Sequence, residues 1–372
     1  MTDQFTLDNL GQRKEDHINL ASSSQFSPSL AKELSALFNY EPLFATTPNV
    51  SKKSCHFERE HFSRYNPGLE KEIFAKKCTL PLWVSSMTGG TAKSLPINQI
   101  LAKASNHFGL GMGLGSCRPL LEEHLNKNIS FDKCQSFADF NLRTILKDDL
   151  PLVANLGIAQ IEKLIEKFGV KLACQLIEQM LLALQADGLF IHINILQEFL
   201  QPEGDSIQVA PIVTLKKLLD FATFKIGIKE VGQGMGPKSL MHLVQLPLEV
   251  IEFAALGGTN FSKLEILRGG PGGLNPLAEV GHGATQMLDF MLSLKDNLGP
   301  KFICKHVIVS GGVRHFLEGQ YYIKHLEKKG LVGFFGQAHC LLNFANQGDI
   351  FLMDYINNVA QGLAMAQRTL EI

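Results

Sequence analysis

The sequence predicts an α/β protein, a (β/α)8 barrel with an N-terminal arm. After Pro81, short apolar or β-branched stretches alternate with stretches of helical periodicity, which is typical of parallel β/α units. Eight such stretches occur within about 260 residues, the size of a single barrel. Glycine or polar residues follow each of the eight, and this is the end of the strand where barrels carry their chemistry.

The eight predicted strands are 81–86, 109–116, 151–157, 188–194, 224–231, 248–256, 304–312 and 331–338. Amphipathic stretches such as 161–186 separate them and predict helices. The second strand is rich in glycine, which is unusual inside a strand. A long loop is expected at 269–285, in the sixth unit. Residues 81–372 are therefore assigned to the barrel.

The first 80 residues have a different character from the rest of the chain. They combine serine-rich and charged pieces with a possible helix at 28–39. We interpret residues 1–80 as an arm and a lead-in segment, not as a separate domain.

Composition excludes several classes of protein. Hydrophobic residues make up 45% and charged residues 19% of the 372 residues, which is enough for a core and excludes global disorder. The net charge of −1 argues against a nucleic-acid binder that works by bulk electrostatics. No signal-peptide core and no membrane span are evident. The seven cysteines are scattered without a Cys-x-x-Cys pair, which favours reduced thiols and a cytoplasmic protein.

Polar residues after the predicted strands favour an enzyme over a structural module. One polar strand end would mean little, because most loops are polar, but here all eight ends carry glycine or hydrogen-bonding groups. The segments are SSMTGGT (85–91), GSCR (115–118), NLG (155–157), IHINILQE (191–198), KEVGQG (229–234), GGTN (257–260), SGGVR (310–314) and GQAH (336–339).

The last two of these segments predict a phosphate site. Barrels often bind phosphate after strands seven and eight, on backbone N–H groups at the start of a helix. Gly311 and Gly312 allow close approach of the backbone, Arg314 can add charge, and Gly336 and Ala338 are small. The alternative is that both segments are tight turns that require glycine for conformational reasons only.

The arm contains a basic cluster, RKEDHINL (13–20). Arg13, Lys14 and His17 fall within one helical turn, and such a trio suits the several oxygens of a diphosphate. Taken alone, the motif is better explained as a solvated charge cluster, so its assignment depends on the rest of the chain.

These segments together resemble the type II, flavin-dependent isopentenyl-diphosphate isomerase family. The resemblance runs from about residue 13 to about residue 345, and IHINILQE with QPEGD (201–205) is its most diagnostic part. It implies an FMN-binding TIM barrel that interconverts isopentenyl and dimethylallyl diphosphate. It also implies Mg²⁺, NADPH as a reductant of the flavin, a small-molecule diphosphate substrate and a homo-oligomer, either a tetramer or an octamer.

The resemblance implies a role for individual residues. Arg13, Lys14 and His17 match the residues that bind the substrate diphosphate, which reverses the interpretation of that motif alone. His192, Asn194 and Gln197 match the catalytic, substrate-side residues, and Glu198 matches the Mg²⁺ ligand. Positions that match flavin contacts are Met87, Thr88, Ser116, Asn155, Lys229, Thr259, Gly311, Gly312, Arg314, Gln337 and Ala338. Glu265 follows GGTN and is expected near the flavin ring.

Alternation along the fourth strand supports these roles. His192 and Asn194 are expected to point together toward the barrel mouth, with Ile191, Ile193 and Ile195 facing the helices. Gln197 and Glu198 are expected in a loop that turns over the pocket. One carboxylate with phosphate oxygens and water is a usual Mg²⁺ arrangement. Gln197 is a poor acid, so we assign it positioning or relay of a proton.

Several positions depart from the family pattern and indicate a divergent member. The family usually has Pro where Ile195 stands and a small residue where Asn260 stands, and its W-G-x-P-T segment appears here only as GHGAT (281–285). The alternative enzyme class is an FMN-dependent oxidoreductase of the 2-hydroxy-acid oxidase type, for which Arg314 and His315 are a superficial match. A third possibility is a non-catalytic binder that retains the site.

Overall fold

The computed structural model describes residues 41–42, 55–87, 89, 94–202, 204–269 and 272–371. Arg13, Lys14, His17, the predicted helix at 28–39 and Thr88 lie outside the described residues. Their predicted roles therefore remain predictions.

The chain divides into two compact units. One consists of Met1–Thr47 with Thr369–Ile372, and within it Glu41–Pro42 pairs antiparallel with Leu370–Glu371. The other is Pro48–Arg368, and it includes the described residues 55–80 and the barrel.

The second unit contains a closed barrel of eight parallel strands, which confirms the predicted fold class. Its strands run in chain order around the barrel, with β8 pairing with β1. They are β1 Leu82–Val84, β2 Gly111–Gly113, β3 Leu152–Gly157, β4 Gly188–His192, β5 Ile226–Lys229, β6 Val250–Glu252, β7 His306–Ser310 and β8 Val332–Gln337. Each lies inside its predicted stretch, and the glycine-rich second stretch is a strand.

Helices of varied length surround the barrel. Their bounds are Arg59–Tyr65, Ser94–Phe108, Arg118–Lys127, Ile158–Phe168, Val170–Leu184, Ile195–Leu200, Pro211–Leu219, Pro237–Leu243, Phe261–Leu267, Asn275–Ala278, Ala284–Leu298, Phe316–Lys328, His339–Gln347 and Asp349–Thr369. The predicted long loop at 269–285 thus includes a short helix. Within the described ranges, no helix is both long and apolar enough to cross a membrane.

Aromatic side chains close the barrel interior. The single tryptophan, Trp83 on β1, is fully buried and lies 6.0 Å from Phe190 and 6.3 Å from Phe334, measured between ring centroids. Phe74, at the turn between the antiparallel strands Lys71–Ile73 and Lys76–Cys78, lies 6.4 Å from Trp83. This packed layer excludes water from the barrel centre.

The layer above these aromatic residues is polar. Side chains alternate along a strand, so a residue two positions after an inward-facing residue also faces inward. The inward apolar residues include Trp83, Val153, Phe190, Val250 and Ile308. Two positions later stand Ser85, Asn155, His192, Glu252 and Ser310, and Lys229 occupies the equivalent place on β5. The barrel therefore changes from an apolar floor to a polar mouth within one layer.

Candidate active site

Two adjoining cavities lie at the barrel mouth. The larger, about 370 Å³, is lined by the ends of β1 and β5–β8 and by the residues that follow them. The smaller, about 100 Å³, lies toward β2–β4. Both are lined by Ser86, Met87, Lys229, Val231 and Phe261, so these side chains stand where the two spaces meet.

The structure brings most of the predicted site residues together around this pair of cavities. The larger cavity is lined by Met87, Lys229, Thr259, Gly311, Gly312, Arg314, Gln337 and Ala338. Ser116, Asn155, His192 and Gln197 line the smaller one. Asn194 and Glu198 line neither, although both are buried nearby.

The turn after β7 brings backbone to the edge of the larger cavity. Gly311 and Gly312 have φ of +92° and +83°, which side chains rarely adopt. A Cβ on Gly311 would also lie 2.1 Å from the carbonyl oxygen of Ala255. The helix His339–Gln347 begins beside this turn, and its first N–H groups have no partner within the helix. This end of the cavity therefore suits an anion.

Gln337 shapes the wall of the cavity through its own hydrogen bonds. Its Nε2 donates to the carbonyl of Val313 at 3.1 Å, and its Oε1 accepts from the Tyr355 hydroxyl at 2.9 Å. Burial raises the pKa of Tyr355, so the phenol remains a donor.

Glu318 engages both Arg314 and His315. The carboxylate accepts from Arg314 Nε at 2.9 Å and from the Arg314 backbone N–H at 2.6 Å. His315 caps the helix Phe316–Lys328, with its side chain accepting from the Glu318 N–H at 3.4 Å. Arg314 and His315, the superficial match to a 2-hydroxy-acid oxidase, therefore both contact the first turn of the helix Phe316–Lys328.

His192 sits in the polar layer as a neutral imidazole. Its Nδ1 is 2.8 Å from Asn155 Oδ1, and Asn155 Nδ2 donates to the carbonyl of Leu114 at 3.2 Å. Because Asn155 Oδ1 is an acceptor, we assign the proton to Nδ1. Burial, with a smaller contribution from the charge of Lys229, lowers the pKa of His192 to about 3.

Lys229 is buried beside His192. Its Nζ donates to the carbonyl of Glu230 at 2.8 Å. Burial lowers the pKa of Lys229, and the nearby carboxylates of Glu252 and Glu230 oppose this effect.

Glu252 is a site residue that we did not predict. It ends β6, is 1% exposed and lines the larger cavity. Oε1 accepts from Ser310 Oγ at 3.0 Å, and Oε2 has no hydrogen-bond partner among the described residues. The sequence carried part of this signal, because alternation puts Glu249 and Glu252 on opposite faces of the strand, so one of the two carboxylates must face the barrel interior.

The hydroxyls of Ser85 and Ser86 are also buried without a partner in the described part of the chain, and both residues line the larger cavity. Buried polar groups are normally hydrogen-bonded. Together with Glu252 Oε2, these orphaned atoms indicate that the cavity is built to receive a polar ligand.

Gln197 and Glu198 lie on a short helix, Ile195–Leu200, so the predicted loop was wrong. Asn194 precedes this helix, and its Nδ2 donates to Glu198 Oε1 at 2.9 Å and to Gln197 Oε1 at 3.2 Å. The expectation that Asn194 follows the alternation of the strand fails because β4 ends at His192. Gln197 Nε2 in turn donates to Glu265 Oε1 at 3.3 Å, and Glu265 is buried.

Ile195 is 50% exposed, so it does not pack against the helices of the barrel as predicted. It is the first residue of the short helix. Proline is favoured at that position, which explains why the family prefers it there.

A charged cluster holds the segment after this helix. Asp205 accepts from Lys163 Nζ at 2.5 Å and from Gln160 Nε2 at 3.0 Å, and it pairs with Arg118 at 3.2 Å. The backbone N–H of Asp205 donates to Glu198 Oε2 at 2.6 Å. A Cβ on Gly204 would lie 1.8 Å from the Glu198 carbonyl oxygen, so the turn requires glycine. Each Glu198 oxygen thus has a donor.

Glu198 is the only predicted metal ligand, and no group of three or more metal-binding side chains occurs among the described residues. The donor set therefore does not form a protein cage. A Mg²⁺ ion at Glu198 would need water and substrate phosphate oxygens as its other ligands.

Comparison with known proteins identifies the family. No protein-family model matches the chain. A protein of Rickettsia prowazekii (strain Madrid E) named isopentenyl-diphosphate delta-isomerase is 30% identical over 296 residues, which cover 78% of each chain. A protein of the same name from Rickettsia typhi (strain ATCC VR-144 / Wilmington) is 27% identical over 357 residues, 95% of this chain and 91% of the relative.

The chain belongs to the isopentenyl-diphosphate delta-isomerase family. This confirms the resemblance inferred from the motifs and the prediction that the protein is an enzyme. Among solved structures, a flavocytochrome b2 variant with sulfite bound has a TM-score of 0.52 and 12% identity, covering 95% of this chain and 81% of that one. At this level of identity, the similarity shows a shared barrel fold and nothing more.

Departures from the isopentenyl-diphosphate delta-isomerase pattern have structural roles. Asn260 caps the helix Phe261–Leu267, accepting from the Lys263 N–H at 3.0 Å, and donates to the Ala278 carbonyl at 2.6 Å. The backbone N–H of His282, within GHGAT, donates to the carbonyl of Gln233 at 2.8 Å. The carbonyl of His282 accepts from the backbone N–H of Leu256 at 2.9 Å. Asn260 therefore ties together the segment that follows β6, and His282 connects that segment to the loop that follows β5.

Proposed function

We propose that this enzyme interconverts isopentenyl and dimethylallyl diphosphate by acid–base chemistry with FMN bound in the larger cavity. Family membership supports the reaction. The proposed binding of FMN depends on the place where the two cavities meet, at Met87 and Lys229. The residues that match flavin contacts line the larger cavity, and His192 and Gln197 line the smaller one.

The described residues fit FMN. Gly311, Gly312 and the start of the helix His339–Gln347 would hold its phosphate, since they present backbone N–H groups and leave no room for a side chain. The unpartnered hydroxyls of Ser85 and Ser86 would hydrogen-bond to its polar atoms. When bound and reduced, FMN supplies a group that can give a proton to the alkene and accept one from it.

The residues around the smaller cavity would tolerate positive charge on the reacting carbon. Protonation of an alkene creates a cation-like species, which a neighbouring cation would destabilise. His192 adds none, because burial keeps it neutral. Lys229 also lines this cavity, and the carboxylates of Glu252 and Glu230 lie near enough to offset part of its charge. Gln197, fixed by Asn194 and Glu265, would position the substrate or relay a proton. Val231 and Phe261 contribute apolar wall that excludes water.

The diphosphate would be bound by groups outside the flavin cavity. We propose that Glu198 holds Mg²⁺ together with substrate phosphate oxygens, and that Arg13, Lys14 and His17 bind the remaining oxygens, as the family resemblance implies. NADPH is proposed as the reductant that brings the flavin to its working state.

The purified protein should be yellow and, under anaerobic conditions with dithionite or NADPH and Mg²⁺, should convert labelled isopentenyl diphosphate into dimethylallyl diphosphate. Gly311→Ala should lose FMN because of the clash at Ala255. Gly330→Ala is the matched control, since Gly330 also has positive φ (+69°) but has open space around it. Absence of product, with oxygen consumption on a 2-hydroxy acid, would favour the oxidase alternative.

A further inference from the structure

Three polar side chains stand side by side on neighbouring strands of the barrel. His192 on β4 is the register partner of Lys229 on β5, and Lys229 is the register partner of Glu252 on β6. Register partners in a parallel sheet project from the same face. The three side chains therefore form a continuous row at the barrel mouth, and the row contains one base, one cation and one anion.

Only one of the two carboxylate oxygens of Glu252 has a hydrogen-bond partner among the described residues. The Ala254 N–H donates to Ser310 Oγ at 3.0 Å, and Ser310 Oγ donates to Glu252 Oε1, which fixes the orientation of the carboxyl group. Oε2 is buried and has no partner among the described residues. Glu252 and Lys229 both line the larger cavity.

Glu230, the other carboxylate near Lys229, has a different task. It accepts backbone N–H bonds from Gly232, Gln233 and Gly234 at 2.6 to 2.8 Å, and so builds the turn after β5. Its charge is spread over these donors, whereas one oxygen of Glu252 has no donor among the described residues.

Among the residues that the structure describes, the remaining titratable side chains that line the two cavities supply no other anion near Lys229. They are His192, Arg314, His339 and Cys340. Burial penalises a charged ammonium, so Lys229 needs a carboxylate nearby to remain protonated.

We propose that Glu252 is a positioning residue whose carboxylate keeps the amine of Lys229 protonated. Because Lys229 lines the larger cavity, bound flavin would lie beside an ammonium group. The part of this proposal that concerns flavin rests on the proposed function. The coupling between Glu252 and Lys229 does not.

The coupling is measured on the full-length protein with ¹³Cε-labelled lysine, by NMR titration. The Lys229 signal is assigned by its loss in Lys229→Met. In Glu252→Gln its titration midpoint should fall by about one pH unit or more, the scale expected when an opposite charge nearby is removed. Glu252→Asp, which keeps the charge, should restore most of the shift. An unchanged midpoint in Glu252→Gln overturns the proposal.

The flavin-facing part is tested by the reduction potential of bound FMN as a function of pH. Lys229→Met should lower the potential, because an anionic reduced ring loses its cation. Glu252→Gln should do the same above its shifted Lys229 midpoint. A potential that neither variant changes overturns this part. Failure of the wild-type protein to bind FMN refutes the proposed function instead, and the NMR titration still decides the coupling.

Discussion

At the scale of single residues, the neutrality of His192 has a measurable consequence. The burial of its ring and the proximity of Lys229 lower the pKa of His192 in the folded protein to about 3, against an ordinary value of 6.5. Between these values the unfolded chain binds a proton that the folded chain does not. Stability is therefore full above pH 6.5 and is lost progressively as the pH falls toward 3.

We expect the free energy of unfolding to fall by about 1 kcal/mol between pH 7 and pH 5.5 on account of this one residue. His192→Gln should lose that part of the pH dependence, measured by denaturant unfolding at the two pH values. His242→Gln, at an exposed histidine, is the control. An identical pH dependence in wild type and His192→Gln would show that the ring is not held neutral.

Glu198→Gln should raise the Mg²⁺ concentration for half-maximal activity at least about tenfold, because an amide is a much weaker Mg²⁺ ligand than a carboxylate. FMN content should stay unchanged, since Glu198 does not line the larger cavity. The comparison variant is Asp205→Asn, which loosens the same segment but leaves the Glu198 carboxylate in place. A Mg²⁺ titration that matches the wild type would refute the ligand role.

Site residues can be predicted from the sequence where a single local pattern, such as the alternation of side chains along a strand, determines their position. Alternation along β4 placed His192 at the barrel mouth, and the structure agrees. The same rule places one of Glu249 and Glu252 inside the barrel but cannot choose between them without knowing which face of β6 is inward. Asn194 was misplaced because β4 ends at His192. The end of a short strand depends on tertiary packing that its sequence does not encode.

At the scale of elements, the short helix Ile195–Leu200 is fixed by distant residues. Glu198 is bonded to Asp205, and Asp205 is held by Arg118, Gln160 and Lys163 from the helices that follow β2 and β3. A motif confined to 191–205 cannot reveal partners more than 40 residues away. This is why the sequence predicted a loop there and assigned no role to QPEGD.

Asn260 gives a test at the same scale. Asn260→Ala removes the cap of the helix Phe261–Leu267 and the bond to the Ala278 carbonyl, and should cost about 1 to 2 kcal/mol of stability. Asn260→Ser keeps a cap and loses only the second bond, so its unfolding midpoint should fall between those of wild type and Asn260→Ala. Equal midpoints for all three proteins would show that neither bond contributes.

At the scale of the whole molecule, the barrel was predictable because its signal repeats. Each strand is a short apolar run followed by glycine or polar residues, and eight repeats of that pattern leave few alternatives. The strand pair Lys71–Ile73 and Lys76–Cys78 was not predicted. Its strands are short and carry lysine at three of their six positions, and they place Phe74 against Trp83.

The polar mouth above the apolar floor is the feature of the whole molecule on which the proposed cofactor and reaction rest. FMN bound as proposed would supply acid–base chemistry to the substrate with no net change in its own oxidation state. Every turnover should therefore leave it reduced.

The most direct test is anaerobic turnover of isopentenyl diphosphate in D₂O with a limiting amount of reduced, FMN-loaded protein and Mg²⁺. We expect many equivalents of deuterated dimethylallyl diphosphate per flavin, with the flavin spectrum still that of the reduced form at the end. Product limited to one equivalent, or flavin oxidised in step with product, would contradict it.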